Sequence, residues 1–283
     1  MKRRLEAPIK NNLAGSSLWL NKIKQDCVNG EVFLAIRDNR IDMYHKGGKL
    51  FSFDKNGFKT HLKYASVIPY NGRDYLTEQE LSNYKLFLDF ENNYKRIKEN
   101  CSNYSGSESE GVSRLYHNHS YLSNSNVVVL DIEIAFSSIE DDNKQDRIDL
   151  LLLNKETTSL KFVEAKHFSN KSIWAIDTPE VISQMQRYES QLSNSKLLII
   201  SEYANYVKEI NNIFNLSLPI PEYIDDKVTL LIFGFDQDQL NGKLKKLIVD
   251  KPEYSGIKMY RRGDINNKKD VVPEKIWKCA KVL

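Results

Sequence analysis

The sequence is poor in cysteine, nearly balanced in charge and without a long apolar run, and each shortage excludes something. Three cysteines in 283 residues, Cys27, Cys101 and Cys279, lie far apart, form no C-x-x-C pair and leave one without a mate. That usage argues against a disulfide framework or a zinc ribbon, and the expected setting is a reducing cytoplasm. Lys plus Arg number 41 against 38 Asp plus Glu, a formal charge of +3. So small an excess neither demands nor excludes a nucleic-acid partner, and any polyanion-binding surface must arise by local clustering. No stretch approaches the roughly 18 uncharged apolar residues of a membrane span. The basic start Met1-Lys2-Arg3-Arg4-Leu5-Glu6 is followed by no apolar h-region, so no secretory signal is expected. Several catalytic signatures are missing too. Lys46-Gly47-Gly48-Lys49 is not a P-loop and reads as a turn, and G-x-S-x-G does not occur. His117-Asn118-His119 has a chelating spacing but no third ligand at a usual distance, and reads as a polar loop or helix end. There is no internal repeat.

What remains is ordinary globular material, 41% apolar and 28% charged, enough to bury a core without covalent staples. After an amphipathic start around residues 17–27, the segments 31–37, 41–46, 50–53 and 58–64 are β-branched and aromatic. Asp38-Asn39, Gly47-Gly48 and Asn56-Gly57 separate them as hairpin turns, so this part reads as an antiparallel meander. From Thr77 to Asn100 the period becomes helical, with Thr77 and Glu80 forming a capping box. Residues 102–111 are Ser- and Gly-rich and read as a linker or exposed loop. Then come three apolar strands, 127–136, 148–153 and 160–166. A helix follows over 179–192, capped by Thr178 and opened by Pro179, and 196–201 reads as a further strand. The tail reads as strand 228–235, helix 237–248 and strand 257–261. Near-continuous apolar strands imply a sheet covered on both faces. The expected class is therefore α/β (α+β), a central mixed sheet flanked by helices and preceded by the meander. Its expected parts are 1–100 for substrate or partner binding, 101–204 for the catalytic core and 205–283 as a C-terminal extension.

The chemistry concentrates in Asp146-Arg147-Ile148-Asp149-Leu150-Leu151-Leu152-Leu153 and Leu160-Lys161-Phe162-Val163-Glu164-Ala165-Lys166. If the polar stretch 154–159 is a hairpin loop, Leu153 pairs with Leu160 and partner numbers sum to 313. Asp149 then faces Glu164 and Arg147 faces Lys166, all on one face of the sheet. Two opposed carboxylates repel unless a cation lies between them, and hard oxygen donors suit Mg²⁺ or Mn²⁺. An ammonium two residues along can orient water or stabilise charge on a phosphoryl oxygen. The alternative is an exposed charge pair at a strand end.

Asp149, then Glu164-Ala165-Lys166 on the next strand, resembles the core of the PD-(D/E)xK nuclease superfamily, as does the order of helix, three strands, helix and strand. Arg147-Ile148-Asp149 stands where the family name has Pro-Asp. Gln184-Met185-Gln186-Arg187-Tyr188 is similar to the Gln-x-x-x-Tyr helix of the RecB-like branch, and the likeness spans residues 105–202. The resemblance implies a restriction-endonuclease-like fold. It also implies a metal held by Asp149, Glu164 and the Ala165 carbonyl, with Lys166 acting on the water and Gln184 on the substrate backbone or the lysine. Tyr188 would support Gln184 at the nucleic acid. A further acid is expected, either Glu110 or Glu133, and Glu133 is favoured because it lies within a strand and shares a face with Asp131.

Two basic and aromatic patches could meet nucleic acid. One is Lys59, His61, Lys63 and Tyr64 with Tyr44, Lys46 and Lys49; the other is Tyr260, Arg261 and Arg262 with Lys268 and Lys269. The expected function is a Mg²⁺- or Mn²⁺-dependent nuclease, DNA being the expected substrate, in restriction, anti-phage defence or repair. The alternatives are a non-catalytic nucleic-acid-binding module and a subunit whose meander docks a partner such as a helicase.

Overall fold

The computed structural model describes residues 2–67, 77–82, 84–135, 147–174, 179–265 and 272–282. It is a mixed α/β protein with one antiparallel four-stranded sheet and one mixed seven-stranded sheet. The chain divides into two compact units, 4–113 and 1–3 with 114–283.

The first unit opens with helix α1 (Ala7–Ala14) and a π-helical turn Trp19–Ile23 that runs into α2 (Lys24–Val28). The meander follows as β1 (Phe33–Arg37), β2 (Arg40–His45), β3 (Gly48–Asp54) and β4 (Gly57–Lys59), paired in sequence order. Its turns fall where expected. Asn39, Lys46, Gly47 and Gly57 all adopt positive φ, the geometry that tight hairpins require. Next come α3 (Leu62–Ala65) and α4 (Glu78–Ser82). Glu80 N–H donates to the Thr77 hydroxyl and Thr77 N–H to Glu80, so the capping box forms.

The helical period does not carry one helix from 77 to 100. Asp89 accepts from the Asn92 backbone and side chain, which winds the chain into a turn before α5 (Tyr94–Ser102) begins. The Ser/Gly-rich linker also differs from expectation, because α6 (Ser107–Asn118) takes up its second half.

The second unit is built on β5 (Val127–Ala135), β6 (Arg147–Asn154), β7 (Ser159–His167), β8 (Tyr223–Ile224), β9 (Thr229–Phe233), β10 (Lys258–Arg262) and β11 (Lys281–Val282). The spatial order is β11-β10-β9-β7-β6-β5, with β8 beside β7. Strands β5, β6 and β7 form an antiparallel meander; β9 and β10 add in parallel to β7.

Helix α7 runs unbroken from Glu180 to Phe214, with Pro179 at its N-cap and Asn215 in the left-handed conformation closing it. The strand expected at 196–201 is therefore helix. Within it Ile199 is buried while Leu197 and Leu198 are exposed, which is how an apolar run divides around a helix. The strand that completes the core is β9, so the C-terminal segment enters the same sheet instead of adding a layer to it. A short α8 (Gln237–Gln239), capped by Asp236, leads into a π-helical stretch Leu240–Val249, and α9 (Val272–Cys279) precedes the last strand. Phe136, Asp146, Thr178, Lys268 and Lys269 lie outside the described residues. Among the described residues no helix is long and apolar enough to cross a membrane.

One buried ion pair fastens the chain start to this sheet. Arg3 Nη2 lies 3.1 Å from Asp131 Oδ2, which also accepts from the Tyr203 hydroxyl at 2.9 Å. Breaking a buried pair from one side strands the other charge. Arg3→Ala is therefore expected to lower stability by about 3–5 kcal/mol, read from the urea midpoint. Arg3→Ala combined with Asp131→Asn should lose clearly less.

Candidate active site at a fork in the sheet

Strands β6 and β7 pair with the expected register: Leu150 with Val163, Leu151 with Phe162, Leu152 with Lys161, Leu153 with Leu160. Asn154 closes the hairpin by accepting from the Glu156 and Thr157 N–H groups. The ladder ends at Leu150–Val163. Beyond it β6 continues along β5, pairing Ile148 with Ile134 and Arg147 with Ala135. Strand β7 continues along β9, pairing Glu164 with Leu230 and Lys166 with Ile232. The sheet thus forks at Asp149 and Glu164, the first opposed position past the ladder.

The cause is local. The Ala165 N–H donates to Asp149 Oδ2 at 2.7 Å, so a side-chain carboxylate accepts the bond that a β6 carbonyl would otherwise take. In an extended strand the N–H and C=O of one residue point to the same edge, so the Ala165 carbonyl faces the fork as well. Glu164 is 1% exposed and its Oε1 holds Lys166 Nζ at 2.6 Å. Burial and the Glu164 charge together push the Asp149 carboxyl well above its ordinary range, against the opposing pull of Lys166 and the Ala165 N–H. The pairing reaches neither Asp149 and Glu164 nor Arg147 and Lys166, contrary to the expectation that each pair stands directly opposed. Arg147 Nη1 lies instead 3.8 Å from Glu133 Oε2.

Glu133 stands opposite Asp149 in the β5–β6 register, between the Ile132–Leu150 and Ile134–Ile148 pairs. Its φ of +50° is unusual for a side chain of this kind and costs on the order of 1–3 kcal/mol. Its charge adds to those raising Asp149. Asp131, expected only to share Glu133's face, is engaged by Arg3 and Tyr203. Glu110 lies in α6, within the other compact unit. Among the described residues no group of three or more His, Cys, Asp and Glu gathers as a metal cage.

Helix α7 braces the fork from one side. Gln184 Nε2 donates to the Tyr188 hydroxyl at 2.6 Å, and that hydroxyl donates to the Arg147 carbonyl, two residues from Asp149. Tyr188 is fully buried, which corrects its expected role as a nucleic-acid contact: it positions Gln184 and β6.

The meander patch is more occupied than its sequence suggests. Lys59 pairs with Asp54, and Lys63 lies 5.2 Å and 4.5 Å from the Tyr64 and Tyr104 ring centroids. His61 caps α3 by accepting from the Lys63 N–H, with its pKa lowered by burial and by Lys63. The described thiols are no nucleophiles: Cys27 and Cys101 are buried and free, and burial pushes the Cys101 thiol up to about 12. A cation–π contact near the end of β7 has no counterpart among the sequence expectations. There Lys243 lies 4.2 Å from the Trp174 ring centroid. Residues 69 positions apart give no local signal of it. Comparison with protein-family models, with characterised proteins and with solved structures finds no match to this chain.

The raised Asp149 pKa has a testable sign. The folded protein keeps this proton where the unfolded chain has already lost it. Stability without metal therefore falls as pH rises from the ordinary Asp range through the raised value. Asp149→Asn keeps an acceptor for the Ala165 N–H and never ionises. It is expected to melt a few degrees higher than wild type at neutral pH without metal, and to converge with wild type in acid. Each kcal/mol corresponds to about 2–4 °C. A difference that does not change with pH would contradict this charge arrangement.

Proposed function

We propose that the protein is a metal-dependent nuclease hydrolysing phosphodiester bonds, with DNA the first substrate to test. The observation that carries this reading is the fork itself, where two carboxylates and an ammonium converge at a break in an otherwise apolar sheet. An apolar sheet gains nothing from such a break. Like charges held face to face raise the energy of the metal-free site, and a cation placed there lowers it.

The donor set fits a hard divalent cation. Asp149, Glu164 and the Ala165 carbonyl are oxygen donors on rigid strands, and Mg²⁺ or Mn²⁺ needs only one or two carboxylates because it keeps several waters. These three groups would hold the ion, with Glu133 the nearest further acid. When bound, the ion supplies Lewis acidity toward a phosphoryl oxygen and toward water. Lys166, aimed by Glu164, orients the attacking water and places its ammonium against the charge that grows on the phosphoryl oxygens. Gln184, fixed through Tyr188, reaches the substrate backbone beside the fork. Restriction, anti-phage defence and repair are settings that such an activity suits, and a helicase-like partner would suit them equally.

The test is direct. Supercoiled and linear DNA, single-stranded DNA and RNA are incubated with the protein in Mg²⁺, Mn²⁺ or EDTA. Cleavage with metal and none with EDTA is expected. Lys166→Ala should lose about 10²–10³ in single-turnover rate while metal-induced stabilisation persists. Lys166→Arg should not restore the rate, since a planar guanidinium does not replace a compact ammonium. In the metal-stabilisation arm, Asp149→Ala and Glu164→Ala should lose most of the shift that wild type gains. Nucleic-acid binding without cleavage under every condition would overturn the enzyme reading in favour of a binding module, and a Lys166→Ala rate equal to wild type would overturn the role given to Lys166.

A further inference from the structure

The parallel strands place further positive charge on the face of the fork. Lys166 on β7 pairs with Ile232 on β9, which pairs with Arg261 on β10; two residues earlier Glu164, Leu230 and Met259 form the same kind of row. Bridged residues of neighbouring strands present their side chains to one face. Arg261 therefore stands on the face of Glu164 and Lys166, level with Lys166 and two strand spacings away, about 9–10 Å. Met259 in the lower row is buried, whereas Arg261 in the upper row is exposed. Arg261 makes no ion pair among the described residues.

A second cation flanks the same strand ends. Phe168 directly follows β7 and its N–H donates to the Phe233 carbonyl at 2.7 Å. Its own carbonyl accepts from the Trp174 indole N–H at 2.6 Å, which fixes the indole. The exposed Lys243, on the π-helical stretch, rests over that ring at 4.2 Å from its centroid. An aromatic face orients an ammonium without neutralising it, so the full charge stays available to an anion. Asp236, at the same end, is committed to capping: it accepts from the Gln239 N–H at 2.7 Å.

We propose that Arg261 and Lys243 form the rim that grips the phosphodiester backbone of a nucleic acid and leads it across the strand ends into the fork. The proposal rests on the nuclease reading and names the substrate-contacting surface for it. A guanidinium presents paired donors that match a phosphate, and a strand holds it in fixed register with Lys166. Lys243 adds a point charge held by Trp174. By contrast, Lys59 of the meander is already paired with Asp54.

The experiment measures fluorescence anisotropy of a labelled oligonucleotide, single-stranded or duplex, in EDTA across a range of KCl. Cleavage by wild type is assayed in parallel. Arg261→Ala is expected to bind several-fold more weakly, with a log–log salt slope shallower by about one. Arg261→Glu should bind more weakly still, and Arg261→Lys should keep the slope while losing part of the affinity. Lys243→Ala should likewise shallow the slope, and Lys59→Ala should leave it unchanged. Melting temperatures of the exposed-site variants should match wild type. If wild type cuts nucleic acid but Arg261→Ala and Arg261→Glu bind with wild-type affinity and slope, the rim is wrong and the nuclease reading stands. The rim is equally wrong if the loss maps to Lys59 and not to Arg261. If wild type neither binds nor cuts DNA or RNA, the nuclease reading falls and takes the rim with it.

Discussion

Two carboxylates placed across a strand pair set the terms for the second unit. Extending the β6–β7 register by one residue would set Asp149 against Glu164, where like charges repel, and no pair forms there. The backbone answers by parting: the β6–β7 ladder ends one pair earlier, Asp149 takes the Ala165 N–H, and Glu164 turns to Lys166. The outer edges of the two branches stay paired, β6 with β5 and β7 with β9, while on the inner edge the Asp149 carboxylate takes the Ala165 N–H.

Holding a fork open needs rigid support, and that support is polar as well as apolar. Strands β5 to β7 are buried on both faces over most of their length. Tyr188 ties α7 to the Arg147 carbonyl, while Tyr203 of the same helix ties it to Asp131, where Arg3 completes the charge balance. The sheet is thus held on both sides of Leu150–Val163, the last pair before the split. Glu133 carries backbone strain at the fork in its left-handed conformation, and strain of that sort persists only where the surroundings impose it.

The β6–β7 register as far as Leu150–Val163 was legible in the sequence because strands alternate strictly and the hairpin loop is short, while the split beyond that pair was not. The meander was legible for the same reason, its turns being marked by Asn and Gly. What failed was length and partnership. Lys196–Ser201 looks like a buried strand because four apolar residues in a row satisfy a strand and a helix face equally, and only the neighbouring turns of α7 decide it. Strand β9 pairs with β7 across more than 60 residues of intervening chain, a distance over which no local pattern assigns neighbours. The break at Asp89 was missed because Leu81, Tyr84 and Leu88 keep helical spacing while Asp89 offers the backbone an alternative partner.

Charge shows the same limit at larger scale. A net of +3 over the chain carries no information about where an anion would sit. Sequence clustering favoured the meander, where Lys46 and Lys49 lie three residues apart and Lys59 and Lys63 four. Such neighbours on one small sheet and its flanking helix find local partners, and their positive ends are drawn to Asp54, Tyr64 and Tyr104. Arg261 and Lys243 come from different elements, and parallel pairing through Ile232 is what sets Arg261 level with Lys166. In parallel strands joined by crossovers, the ends bring together residues far apart in the chain without those residues having to neutralise one another. Lys161 and Lys258 of these strands share Asp225, whereas Arg261 at the strand end is exposed and makes no ion pair among the described residues. The same geometry that leaves Asp149 and Glu164 facing at the fork places the exposed Arg261 level with Lys166.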